Sequence, residues 1–181
     1  MEGYLTKIKL IHIPKLGFDF RQNSIMVGMA EYRIAYNPTN LSTWALGSCV
    51  AIILFDPYKK IGGLAHCMLP EPHSDVVDSA GKYVATAIPD MVKSLKKLGV
   101  QEKMLRAAIV GGASVLRMSL TSNDTLSGIG LRNVRKAKDI LHSLGIPIDV
   151  DETGGNKGRN LLFKLVTGEV LVAYVRKPDW L

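Results

Sequence analysis

Thr43-Trp44-Ala45-Leu46-Gly47-Ser48-Cys49-Val50-Ala51-Ile52-Ile53-Leu54-Phe55 decides how the rest of the chain is read. From Cys49 onward it is the longest uninterrupted apolar run in the sequence, far short of the roughly 20 residues that span a bilayer. A short run rich in Ile and Val reads as a β-strand covered on both faces, so the fold needs a layer on either side of it. Residues 45–55 are therefore expected as one strand, stopped by Asp56-Pro57, with the Gly47-Ser48 pair placing Cys49 at the head of its apolar part.

Working outward, residues 25–36 and 61–69 read as further strands, the latter ended by Pro70 and Pro72. Two helices follow from periodicity. Val84, Ile88, Met91, Val92, Leu95 and Leu98 make one apolar stripe opposite Lys93, Lys96 and Lys97, with Gly99 as a stop and Pro89 expected to kink the helix. Val134, Ala137, Ile140, Leu141 and Leu144 make the other, opposite Arg135, Lys136 and Lys138, closed by Gly145 and Pro147. Short strands at 105–110 and 146–151, and a hairpin of 161–166 and 170–175 turning at Thr167-Gly168, complete the pattern. This order lacks strict βαβ alternation. It predicts an α+β fold, with mixed β-sheets packed as a sandwich-like core covered by two main helices. Residues 1–24 carry little period and are expected as an N-terminal extension, loosely packed or adding an edge strand, with 25–181 as a single domain.

A chain of 181 residues, 47% hydrophobic and 22% charged, suits one core and excludes wholesale disorder, a collagen-like chain or a coiled coil. Its net charge of +7 is unevenly placed: basic and acidic residues balance over 1–90, so the whole surplus lies in 91–181, on the outer faces of the two helices. A nucleic-acid binder would interleave such charges with exposed aromatics, and these helices hold almost none. Leu10-Ile11 is followed at once by His12, Pro14 and Lys15, which argues against an export signal; a cytoplasmic protein with no membrane insertion is expected. Two cysteines do not make a disulfide scaffold.

Chemistry concentrates around Cys49. A cysteine with a reference pKa of about 8.5 is mostly thiol at neutral pH and needs a base. His66, on the next strand, is the candidate, because the 56–60 turn folds that strand back beside the first. Thr43 is placed to hold the second imidazole nitrogen, and backbone N–H groups around Gly47 and Ser48 are placed to bind an oxyanion. The competing reading makes Cys49 a small core residue and His66 a satisfied buried histidine; the residues alone leave both open. Cys67 points the other way along its strand, as a packing residue. Cys49, His66, Cys67 and His73 lack the paired ligand clips of zinc sites, so no metal is expected. Gly111-Gly112 and Gly154-Gly155 match no phosphate-binding motif and read as turns. Gly128 and Gly130 read as a helix start, with Arg132 and Asn133 completing it or shaping a site wall.

Beyond these local readings, Val27-Gly28-Met29-Ala30-Glu31-Tyr32, the stretch Thr43 to Val50, Asp56-Pro57 and Gly62-Gly63-Leu64-Ala65-His66 through Met68-Leu69-Pro70 carry a likeness. It continues through Lys82-Tyr83, Gly111-Gly112-Ala113-Ser114, Ile129-Gly130-Leu131-Arg132-Asn133-Val134, Thr153-Gly154-Gly155 with Gly158-Arg159, and Thr167-Gly168-Glu169-Val170. In this order the motifs resemble CheD, the chemoreceptor glutamine deamidase family. The resemblance implies a fold like that of the cytotoxic-necrotizing-factor-like cysteine hydrolases. It also implies Cys49 as nucleophile, His66 as general base and acid, and Thr43 as the residue orienting His66. The implied reaction converts glutamine side chains in the cytoplasmic helical bundle of chemoreceptors to glutamate and ammonia, with no metal or organic cofactor. A second implied partner is the CheC phosphatase, which docks on the deamidase and restrains it. The alternative is a non-catalytic receptor- or CheC-binding module of the same fold, against which the intact Thr43, Cys49 and His66 set speaks.

Overall fold

A computed structural model describes residues 7–14, 19, 23–73, 78–114 and 128–175. In chain order the strands are β1 (Lys9–His12), β2 (Ser24–Met26), β3 (Tyr32–Tyr36), β4 (Asn40–Leu46), β5 (Val50–Asp56), β6 (Ile61–Cys67), β7 (Arg106–Gly111), β8 (Ile148–Thr153), β9 (Arg159–Lys164) and β10 (Glu169–Tyr174). Helix α1 (Val84–Lys97) lies between β6 and β7, and α2 (Ile129–Ser143) between β7 and β8. The strands form two five-stranded mixed sheets, ordered β1-β10-β9-β4-β2 and β3-β6-β5-β7-β8.

All of β5 is buried, and side-chain alternation divides it between two cores. Val50, Ile52 and Leu54 pack with Ile88, Met91 and Leu95 of α1 and Val134, Ala137 and Leu141 of α2. Ala51, Ile53 and Phe55 face the other sheet, among Leu41, Leu161 and Phe163. Phe55 and Phe163 meet edge to face at 5.2 Å between centroids. The result is three layers, helices on a sheet on a second sheet, with β5 in the middle one. This is the α+β sandwich-like architecture that the apolar run requires.

Two strand expectations are corrected. Residues 45–55 are not one strand: β4 belongs to the first sheet and β5 to the second, and the chain crosses between them at Gly47-Ser48-Cys49. The crossing is prepared by a bulge. Ala45 adopts φ +56°, and the pairing of β4 with β9 shifts register between Thr43 and Leu46, bending the strand out of its sheet. Residues 25–36 split in the same manner, β2 pairing with β4 and β3 with β6, across a turn in which Ala30 takes φ +63°. Neither break is marked by a local stop signal in the residues that carry the positive φ, Ala45 and Ala30.

Within residues 1–24, β1 pairs in parallel with β10 at the edge of the first sheet, and the Ile8 N–H donates to Asp149 Oδ2 at 2.9 Å. Residues 1–6, 15–18 and 20–22 of that extension lie outside the described residues. Helix α1 starts where the N–H groups of Val84 and Ala85 donate to the carbonyls of Leu69 and Pro70, each at 2.9 Å, and it continues through Pro89 to Lys97. On the outer faces Lys93, Lys97 and Arg135 are exposed, while Lys96, Lys136 and Lys138 pair with Glu102, Glu71 and Asp151. Among the described residues no helix is long and apolar enough to cross a membrane.

Candidate active site

The Gly47-Ser48-Cys49 crossing is held by three consecutive carbonyls. Gly47 O accepts from the Ala113 N–H at 2.7 Å, Ser48 O from Asn133 Nδ2 at 3.0 Å, and Cys49 O from the Gly112 N–H at 2.8 Å. The close approach demands glycine: a Cβ on Gly111, whose φ is +112°, would stand 2.4 Å from Cys49 O. Helix α2 comes equally near, since a Cβ on Gly130 would stand 2.6 Å from Gly112 O. Cys49 is left half-buried at the margin of the core between the sheets.

Across the ladder from β5 to β6, Ala51 pairs with His66. Cys49 precedes Ala51 by two positions, so both it and His66 belong to the side facing the first sheet. The His66 backbone is locked to the preceding turn, with its N–H donating to Glu31 O at 2.9 Å and its O accepting from the Ala30 N–H at 3.0 Å. Its ring Nδ1 lies 2.8 Å from Thr43 Oγ1, which in turn lies 2.8 Å from Val27 O. A hydroxyl has one proton and a carbonyl can only accept, so Thr43 donates to Val27 and receives the Nδ1–H of His66. This fixes the tautomer. Nε2 carries a lone pair, is buried, and has no hydrogen-bond partner among the described residues.

Burial sets the charge states. His66 is 2% exposed, and loss of solvation lowers its pKa to about 4. Burial pushes the Cys49 thiol above its usual range, and the residue's own backbone N–H offsets part of that rise. At neutral pH the resting pair is thus a thiol and a neutral imidazole with its acceptor nitrogen unpaired. Cys67, fully buried, faces the helix side with Val84, Ala87 and Met91, and burial raises its thiol pKa further still. Its side chain thus lies on the opposite face of β6 from His66, although Cys67 pairs with Val50, next to Cys49, and the charge of a Cys49 thiolate would add to that rise. Among the described residues no three His, Cys, Asp or Glu side chains converge to hold a metal ion.

Two residues within the quoted motifs have supporting contacts that the motifs do not specify. Asn133, fully buried on the apolar face of α2, donates through Nδ2 both to Ser48 O and to Met68 O, the latter at 2.9 Å. A polar residue within an otherwise apolar stripe beside Val134 is the signal that marks it. Arg159, 4% exposed, pairs in register with Leu46 and binds Glu152 at 3.3 Å and Gly154 O at 2.9 Å. It steadies the loop in which the Gly154 N–H donates to Gly111 O at 2.9 Å and Gly155 O accepts from the Ser114 N–H at 2.8 Å. Gly111, Gly112, Gly154 and Gly155 all have positive φ, so both glycine pairs serve the backbone around the crossing.

Comparison with known proteins bears on this geometry. The family profile described as CheD chemotactic sensory transduction matches residues 68–174. The chain is 39% identical over 155 residues, 85% of this chain and 92% of the other, to the probable chemoreceptor glutamine deamidase CheD of Desulforamulus reducens. It is 40% identical over 156 residues, 85% of this chain and 95% of the other, to the probable chemoreceptor glutamine deamidase CheD 2 of Geobacter metallireducens. It is 39% identical over 150 residues, 83% of this chain and 91% of the other, to the chemoreceptor glutamine deamidase CheD of Thermotoga maritima. A stretch covering 85% of a 181-residue chain necessarily spans Thr43, Cys49 and His66, which precede the profile match. With a profile matched over more than half its length and relatives near 40% identity across most of both chains, this protein belongs to the CheD family.

Proposed function

We propose that the protein is a protein-glutamine deamidase acting on chemoreceptors, with Cys49 as nucleophile, His66 as general base and acid, and Thr43 as the orienting residue. The observation that carries the chemistry is the Thr43–His66 hydrogen bond, which leaves a buried, unpaired Nε2 on the side of the sheet that Cys49 faces. The substrate class comes from the names of the relatives, each a chemoreceptor glutamine deamidase or a probable one. Residues 25–181 act as one deamidase domain to which β1 adds an edge strand.

His66 Nε2 takes the Cys49 thiol proton as sulfur attacks the glutamine carboxamide carbon. Because both groups rest neutral, the proton moves with the attack rather than before it. Thr43 Oγ1 accepts Nδ1–H throughout and so stabilises the imidazolium that forms. The carboxamide oxygen becomes an oxyanion against the N–H groups of Ser48 and Cys49. His66 returns the proton to the nitrogen, the C–N bond breaks, ammonia leaves and a glutamyl thioester remains on Cys49. Water, deprotonated by His66, adds to the thioester; sulfur departs and regains its proton, leaving glutamate. The exposed lysines of α1 favour an acidic helical bundle, and CheC is the second partner this reading carries.

The test incubates the protein with a chemoreceptor cytoplasmic fragment, in the presence and absence of hydroxylamine, and follows ammonia and receptor peptides by mass spectrometry. Glutamate should appear at selected glutamines with matching ammonia, and hydroxylamine should intercept the thioester to give a hydroxamate at the same positions. No ammonia and no conversion overturns the activity; conversion with no hydroxamate overturns the thioester.

A further inference from the structure

We infer that Asn133 is a positioning residue that aims the Cys49 N–H at the oxyanion of the tetrahedral intermediate, an inference that rests on the deamidase reading above. In a trans peptide the C=O and N–H point in opposite directions. Drawing Ser48 O toward α2 therefore turns the Cys49 N–H of the same peptide away from α2. The neighbouring peptide is treated alike: the Ala113 N–H draws Gly47 O at 2.7 Å and so turns the Ser48 N–H. The third carbonyl, Cys49 O, is drawn by the Gly112 N–H at 2.8 Å. Of these three restraints, only the one on Ser48 O comes from a side chain.

Two further observations fit an aiming role. Asn133 spends its second Nδ2 hydrogen on Met68 O, two residues beyond His66, so one amide group sets the crossing that bears Cys49 against the strand that bears His66. Its Oδ1 is buried with no hydrogen-bond partner among the described residues, a cost that a residue retained only for packing does not need to carry. The approach of α2 that makes this reach possible is secured by Gly112 and Gly130, where a Cβ would collide.

The role separates two reactions of one sulfur. Amide hydrolysis forms an oxyanion, whereas alkylation by iodoacetamide displaces iodide and forms none. For Asn133→Ala, kcat for receptor deamidation should fall roughly 100-fold with KM within about twofold, the scale on which a misdirected oxyanion donor is felt. The rate of Cys49 alkylation, mapped by peptide mass spectrometry and taken on the alkaline plateau where the thiol is ionised, should stay within about threefold. Asn133→Ser, smaller and with one donor in place of two, should fall between wild type and alanine in kcat and supplies the measurement if the alanine variant does not fold. Variants that deamidate at the wild-type rate overturn the inference alone. So does a parallel fall of deamidation and plateau alkylation, which would make Asn133 a general support of the Cys49 turn. A wild-type protein that deamidates nothing overturns the functional reading and this inference with it.

Discussion

Replacing His66 by asparagine should flatten the dependence of stability on pH. The folded protein keeps this ring neutral down to a pKa of about 4, whereas an unfolded histidine titrates near 6.5. Between those values the unfolded chain binds the extra proton, so stability falls as pH is lowered: the contribution is fully present above about pH 6.5 and is lost by about pH 4. At roughly 1.4 kcal/mol per pH unit the whole interval amounts to about 3 kcal/mol, most of it already lost at pH 4.5. Other titrating groups add their own slopes, but these are common to wild type and variant. Urea unfolding of both proteins at pH 7.5 and pH 4.5 isolates the His66 share as the difference of differences. Wild type should lose about 2–3 kcal/mol more than His66→Asn over that interval. Parallel losses would mean that His66 is protonated in the fold near its ordinary pKa, and would remove the basis for a neutral resting pair.

The same charge states shape the rate. With His66 lowered to about 4 and Cys49 raised, kcat/KM should hold a broad plateau whose acid limb lies well below pH 6 and whose alkaline limb lies above the usual thiol range; an acid limb near 6.5 would contradict it. Cys67→Ala should cost about 1 kcal/mol in urea unfolding through lost packing, yet leave deamidation within about twofold, since this thiol faces the helices; a large fall in kcat with stability intact would place it at the site. Replacing Lys93, Lys96 and Lys97 by glutamine should weaken receptor-fragment association several-fold at low ionic strength, with the difference shrinking as the Debye length drops below about 8 Å. Cys49 alkylation should not change, and unaltered association at low salt would leave these lysines as solvated surface.

The sequence discloses the layers more readily than the crossing. A run such as Val50 to Phe55 has to be covered on both faces, and the stripes of α1 and α2 supply one cover. What local pattern does not reveal is which sheet each strand joins. β4 and β5 are parted by only Gly47-Ser48-Cys49, and their division depends on a backbone event, the positive φ of Ala45 and the register shift beside it, that leaves no hydrophobic signature. At the site, Thr43 and His66 meet across two sheets through pairings of β4 and β6 that no periodicity encodes, so residue spacing alone does not exclude a core histidine. Asn133 is a similar case. The sequence offers it as part of a helix start or of a site wall, whereas its reach to Ser48 O and Met68 O depends on α2 lying against Gly112.

The most direct test of the account replaces Cys49 by alanine and scores glutamine-to-glutamate conversion in a chemoreceptor cytoplasmic fragment by peptide mass spectrometry, beside wild type at equal folded concentration. Wild type should convert glutamine, and Cys49→Ala should give no conversion above the buffer control. Conversion that survives in Cys49→Ala would contradict the assignment of this cysteine as the nucleophile.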